Sequence, residues 1–268
     1  MRQVGRKPFI GVKPIGEQIM SLRAIPLNPV SQYMARVLWT LGLFAGICAS
    51  AAGQSEFSAC GPLGNTFGPF DYRDHAGSID FKTNSNNPLF LVESAHFRPE
   101  MEALIRGGQG ARSDVGPELD YTLRAFPNHH KALDAMVRLS EKLKMDPPKG
   151  ARYPVDCWFE RSIRFRPDDV IARMIYASYL GKLKRVPDAK AQLKFAADTA
   201  KDNAFTHYNI GLIYLDLSEF DLALAHAHIA YGLGMQRPEL RDRLTSSGHW
   251  REAPAVPAEP ASAPSQAK

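Results

Sequence analysis

The stretch of the chain richest in chemistry is residues 119–133, LDYTLRAFPNHHKAL, which carries Asp120, Tyr121, Arg124, His129 and His130. Histidine titrates nearest neutral pH and is a common metal ligand, so this stretch, together with His96, is the place to look for proton transfer or for metal or haem ligation. The spacing argues for a structural role instead. Adjacent helical residues point about 100° apart, so His129 and His130 do not converge on one ion. Asn128, following Pro127, reads as a helix N-cap and puts both histidines in a first turn, where the helix dipole disfavours imidazolium. His226 and His228, two residues apart, fall on different faces of a helix. The acids Asp71, Asp74, Asp80, Glu93, Asp114, Glu118 and Asp120 are scattered, with Glu118 and Asp120 suited to a helix N-terminus. Gly107-Gly108-Gln109-Gly110 lacks the lysine and preceding strand of a phosphate loop and reads as a helix terminator. Neither G-x-S-x-G nor H-E-x-x-H nor a dinucleotide fingerprint occurs. The expectation is no catalytic residue, no resident metal and no cofactor.

The elements that must carry these residues are helical from Pro99 onward. Pro99 suits a first helical position, with Met101, Leu104 and Ile105 on one short face. Leu119, Leu123 and Phe126 mark a second helix that must stop before Pro127. A third runs from about 128 to 143 on Leu133, Met136, Val137, Leu139 and Leu143. Residues 53–98 are turn-rich yet hold Phe67, Phe70, Tyr72, Phe90, Leu91, Val92 and Phe97, too many large apolar side chains for a disordered linker. They read as an irregular, extended segment packed on the helical body, 99–250. Residues 251–268 form a flexible Pro/Ala-rich tail.

Location is legible at the other end. Residues 37–48, VLWTLGLFAGIC, follow Arg36 and lead into Ala49-Ser50-Ala51-Ala52, which reads as a signal peptide over 34–52, cleaved after Ala51 or Ala52. Residues 1–33 read as a mis-assigned start or a disordered leader, with Met34, or alternatively Met20, as the true start. Six basic residues against one acid in 1–52 account for the whole formal charge of +5. Export removes that basicity, and with it the electrostatic case for a nucleic-acid partner. No run of 18 apolar residues suggests a stable membrane span. Cleavage leaves Cys60 and Cys157, an even pair in an exported chain; a bridge would close a loop of about 100 residues, worth about 4–5 kcal/mol in the chain-entropy account. The compartment expected is the periplasm.

Self-comparison yields a period. Val155, Ala189 and Ala223 are spaced by 34, as are Ser162, Ala196 and Ala230, placing mostly small residues two turns apart on one helix face. Tyr179 and Tyr214 are 35 apart, which implies a one-residue insertion in the turn at 181–187. Residues 207–234, HYNIGLIYLDLSEFDLALAHAHIAYGLG, with Asn209, Gly211, Tyr214, Phe220, Ala223 and Ala230, resemble the tetratricopeptide repeat, a 34-residue helix–turn–helix unit. A looser copy has Tyr176 in place of the family's glycine, and Arg166-Pro167-Asp168-Asp169 resembles the family's Pro-containing turn. The copies cover about 128–168, 169–203 and 204–237. In the first, the insertion Met145-Asp146-Pro147-Pro148-Lys149-Gly150 displaces the first helix, and residues 238–244 continue as a capping helix. Residues 68–72, 92–97 and 119–133 also resemble an uncharacterised family of secreted bacterial repeat proteins of no known activity.

The resemblance implies an all-α fold, an α-α superhelix of two to three stacked hairpins. It implies partner contacts on the inner face of each first helix: Arg173, Ala177, Phe205, Tyr208, Leu212 and Asp216. Tyr208, Leu212 and Asp216 depart from a Lys/Asn clamp for a peptide carboxylate, which leaves an apolar-aromatic peptide groove with one acid. A possible second site is Tyr121, Arg124, His129 and His130. The function expected is an exported scaffold for a protein or peptide partner, without catalysis. The alternatives are a metal- or haem-handling protein using His96, His129 and His130, and a hydrolase with its site between 60 and 130.

Overall fold

In the computed structural model, residues 59–76, 86–105 and 114–253 are described, and all fall within one compact unit, Gln54–Lys268. The leader, Asp80, the Gly107–Gly110 stretch and the tail from 254 onward lie outside the described residues. The fold is all-α, as expected, and the described residues contain no strand. A short helix α1 (Tyr72–Ala76) precedes α2 (Pro88–His96) and the single turn α3 (Pro99–Glu102). The body comprises α4 (Val115–Ala125), α5 (His130–Leu143), α6 (Val155–Phe165), α7 (Val170–Lys182), α8 (Val186–Ala200), α9 (Ala204–Asp216), α10 (Phe220–Gly232) and α11 (Glu239–Ser246).

Local chemistry sets these limits. Helix α4 ends before Pro127, and α6 before Pro167, because a residue preceding proline is pushed out of the helical region. Side chains accept the free N–H groups of first turns: Asn87 from Leu89, His129 from Ala132, Asp169 from Ala172 and Asn203 from Thr206. The turns after α7 and α9 are superimposable in their bonding. Arg185 donates to Leu180 O and Glu219 to Tyr214 O, both at 2.9 Å, with Lys184 and Ser218 left-handed at φ 62° in each case. Every one of these equivalences is 34 residues, so no insertion separates the two units. Leu180, not Tyr179, occupies the place of Tyr214, and Ala177, not Tyr176, that of Gly211.

Packing follows the same order. Helices α7 and α8, and α9 and α10, pair as hairpins, and the first helices α5, α7, α9 and α11 pack in succession. Val155, Ala189, Ala223, Ser162, Ala196 and Ala230 are all fully buried, which lets helix backbones approach closely. At Gly211 a Cβ would meet Leu240 at 2.6 Å and the carbonyl of Ala223 at 3.3 Å, so the crossing of α9 with α10 and α11 leaves little room there.

The structure differs from the sequence reading in three further places. Residues 53–98 are not wholly irregular, since α1 and α2 lie within them; Asn87 caps α2 and Pro88 starts it. Helix α3 is one turn only, with Leu104 left-handed and buried and Ile105 exposed. The insertion at 145–150 does not displace a helix: α5 is in place, and the extra residues lengthen its connection to α6.

Candidate functional site

Asn128 does not cap α5; the cap is His129, whose Nδ1 accepts from Ala132 N at 3.2 Å. The ring hydrogen must then sit on Nε2, which donates to Glu93 Oε1 at 3.0 Å. Both ring nitrogens are thereby used. The ring is fully buried against Tyr72 and Phe97, and burial pushes its pKa below 6.5 despite Glu93. His130 points elsewhere, with Nε2 2.9 Å from both carboxylate oxygens of Asp169, whose Oδ1 also caps α7 through Ala172 N at 3.0 Å. The starts of α5 and α7 are therefore tied together by one carboxylate.

Asn128, released from capping and fully buried, holds the centre. Its Nδ2 donates to Asp71 Oδ1 at 2.7 Å and to Asp169 Oδ2 at 2.8 Å, while its Oδ1 accepts from Tyr72 N at 3.0 Å. Asp71 is bonded by Arg73 Nη2 at 2.7 Å and lies 2.6 Å from Arg166 Nε; Arg73 reaches on to Asp168 at 2.9 Å. Burial alone would raise the Asp71 pKa, but hydrogen bonds from Arg73 and Asn128 outweigh it and hold the carboxyl well below its ordinary range. Asp169 is likewise lowered, His130 and Asn128 together overcoming burial. Sequence reasoning missed Asp71, Arg73, Asp168 and Asp169 as members of this cluster. A signal existed: Phe126-Pro127-Asn128-His129 recurs as Arg166-Pro167-Asp168-Asp169 after 40 residues, the 34-residue period plus the six-residue insertion.

The rest of the second predicted site lies on the adjoining face of α4. Tyr121 stacks on His96 at 3.9 Å between ring centres, and His96 Nδ1 is 2.6 Å from Glu118 Oε2. Arg124 donates to Asp120 at 2.9 Å and to Asn65 at 2.8 Å. His96, His129 and His130 thus face three different carboxylates. Among the described residues no group of three or more His, Cys, Asp or Glu is placed to hold a metal ion. The disulfide Cys60–Cys157 forms as expected, and beside it the buried Arg161 donates to Cys60 O and Pro62 O while Arg164 donates to Gly61 O. Chemically, this whole region clamps the segment before α4 onto the helical body.

No family model, curated protein or solved structure matches the chain.

The predicted partner face is split by the structure. Phe205 and Leu212 line an open groove of about 330 Å³ between α7 and α9, together with Ile171, Met174, Ile175, Ser178, Asn209 and Ile213. Arg173, Ala177 and Tyr208 do not line it. Ala177 and Tyr208 are buried in the helix stack; Arg173 is buried too, donating to Pro167 O at 2.8 Å and Gln192 Oε1 at 2.7 Å with its guanidinium 3.7 Å over the Phe195 ring. Asp216 is exposed but outside the groove, paired with Arg243 at 2.6 Å. For Arg173 and Ala177 the cause is the offset of one residue noted above: a 35-residue alignment matches them to Tyr208 and Leu212, whereas the 34-residue turns match Ile171 to Phe205, Ile175 to Asn209 and Ser178 to Leu212. One residue on a helix is a rotation of about 100°, enough to move a position from the surface into the core.

Proposed function

We propose that the chain is an exported, periplasmic scaffold of stacked tetratricopeptide-like hairpins that binds a protein or peptide partner in the α7–α9 groove and carries no reaction of its own. The observation that carries this reading is the groove itself. Six of its eight lining side chains are apolar, none is charged, and Ile171 and Phe205 are 42% and 48% exposed. Large apolar side chains left together on a surface mark interaction sites more often than isolated ones do. The lining selects an uncharged, apolar segment, with the Ser178 hydroxyl and the Asn209 Oδ1 beside it for hydrogen bonds to its backbone, the Asn209 Nδ2 being donated to Phe205 O. Export is supported by the Cys60–Cys157 disulfide, which needs an oxidising compartment, and no described helix is long and apolar enough to cross a membrane.

The test is random-peptide display on the purified chain, followed by affinity measurement for the enriched peptides on wild type, Ile171→Asp and Phe205→Asp. Both positions are exposed, so the variants should keep their stability within about 0.5 kcal/mol. Loss of one buried aromatic contact and burial of a charge should weaken binding by roughly 10- to 100-fold. Peptides without an apolar consensus, or bound equally by Phe205→Asp, would remove the groove as the binding site.

A further inference from the structure

A second groove, of about 700 Å³, lies between α8 and α10 over the floor of α9, and is lined by residues the partner-binding reading does not use. At its floor two histidines share a short contact: His207 Nδ1 and His226 Nδ1 are 2.9 Å apart, and the rings stack at 5.2 Å. His207 Nε2 is also 2.6 Å from Lys201 O. A carbonyl can only accept, so His207 carries its hydrogen on Nε2, and in the neutral ring Nδ1 is a lone pair. The hydrogen in the Nδ1–Nδ1 contact therefore belongs to His226. This leaves His226 Nε2 as a bare lone pair, with no hydrogen-bond partner among the described residues.

That tautomer is the one used by a metal-binding histidine, whose other N–H is donated to a fixed neighbour that orients the ring. Tyr214 also stacks on this ring, at 5.5 Å, so the ring has little freedom. One nitrogen cannot hold a free ion, and no set of three donors exists among the described residues. A ligand for this position must bring its remaining donors with it. The walls, Ala191, Leu222 and Ile229, are apolar, and the rim carries Lys190, half-buried and paired with Glu219, and Lys194, exposed and paired with Asp198. An exposed pair such as Lys194–Asp198 is weak enough to exchange for another carboxylate. A flat, apolar metal chelate with peripheral carboxylates matches each of these features, and the volume is within the range of small-molecule sites.

We infer that this groove binds an iron porphyrin, with His226 Nε2 as axial ligand, the apolar walls against the macrocycle and Lys190 and Lys194 on its carboxylates. The site is separate from the α7–α9 groove, so either reading can fail alone.

The experiment is titration of the full chain with haemin, following the Soret band, beside a parallel titration with metal-free protoporphyrin. Expected are a one-to-one end point, a shifted Soret band with imidazole ligation, and much weaker binding of the metal-free ring. His226→Ala and His226→Gln should lose the ligation signature and at least tenfold in affinity, with thermal melting by circular dichroism reported alongside. His228→Ala, on the same helix with its Nε2 bonded to Arg251 O, should match wild type. Lys190→Glu/Lys194→Glu, at the surface, should weaken binding without changing the spectrum of the bound form. No shift with wild type, an unchanged spectrum in the folded His226 variants, or equal binding of the metal-free ring would overturn the assignment.

Discussion

Removing the Asn128 side chain should destabilise the chain more than any surface change of the same size. The amide makes three hydrogen bonds in a fully buried position, two of them to carboxylates and one to the Tyr72 backbone. Charge-assisted bonds are worth about 1.5–3 kcal/mol each and a neutral one about 1, so the gross loss is about 4–7 kcal/mol. The net loss is smaller because neither acid becomes an orphan: Asp71 keeps Arg73 and Arg166, and Asp169 keeps His130 and the Ala172 N–H. About 3 kcal/mol remains for Asn128→Ala, which for a domain of this size is a fall in melting temperature of roughly 10 °C. Asn128→Asp should be worse, since it inserts a third carboxylate between two others and removes both donors. The assay is urea unfolding followed by circular dichroism with the disulfide intact, using exposed Lys131→Ala as the control expected within about 0.5 kcal/mol. A loss below about 1 kcal/mol for Asn128→Ala would refute the claim that this amide organises the clamp.

Replacing both cysteines, Cys60→Ser/Cys157→Ser, opens a loop with a sequence separation of 97 and should lower unfolding free energy by up to about 4–5 kcal/mol; equal stability of wild type with and without reductant would contradict that. Stability should also fall on mild acidification. His129 and His226 have folded pKa values below the unfolded 6.5, so as pH drops the unfolded chain takes up protons first. The His226 contribution is complete above about pH 6.5 and is lost as pH falls toward about 4, that of His129 is lost in the same direction, and the lowered Asp71 and Asp169 add a further loss below the ordinary carboxylate range. Urea midpoints at pH 7.5 and 5 measure this, with a smaller difference expected in His226→Gln; a midpoint equal or higher at pH 5 would show the sign to be wrong.

What could be read without coordinates was whatever is encoded locally or by period. Pro127 and Pro167 end their helices where the preceding-residue rule requires, and the small residues at 155, 162, 189, 196, 223 and 230 are buried at the helix crossings. What could not be read depends on partners far away in the chain. Asn128 looks like an N-cap by type and position, but it is drawn off by Asp71 and Asp169, 57 and 41 residues distant, and His129 takes the cap instead. The α2 helix was hidden because Asn87-Pro88 has the composition of a turn as well as that of a capped helix start. The groove was half legible: Phe205 and Leu212 line it, while matching two tyrosines that are not equivalent turned Arg173 and Ala177 the wrong way.

The clamp and the groove are two consequences of one construction problem. A stack of helical hairpins has an open end, and its turns present N-caps and orphan N–H groups there. At the α4 end, the chain folds its own preceding segment over that surface. Phe67, Phe70, Leu89 and Val92 cover Phe126, and Gly68 approaches the end of α4 so closely that a Cβ would lie 2.5 Å from Ala125 O. Asp71 and Arg73 then bridge the 126–129 and 166–169 turns, and the disulfide with Arg161 and Arg164 fixes the segment a second time. Polar groups spent on such a closure are matched to one another, which is why a stretch so rich in histidine, aspartate and arginine ends up paired internally. The apolar row on α7 and α9 is not closed over in this way: the Arg237 guanidinium lies 5.7 Å from the Phe205 ring centre, yet Ile171 and Phe205 stay exposed although their 34-residue equivalence puts them side by side. If the row were only surplus packing surface of the hairpins, Ile171→Asp and Phe205→Asp would change nothing but solubility; a binding role requires that they abolish capture of an apolar peptide while the clamp, and with it the melting temperature, stays as it was.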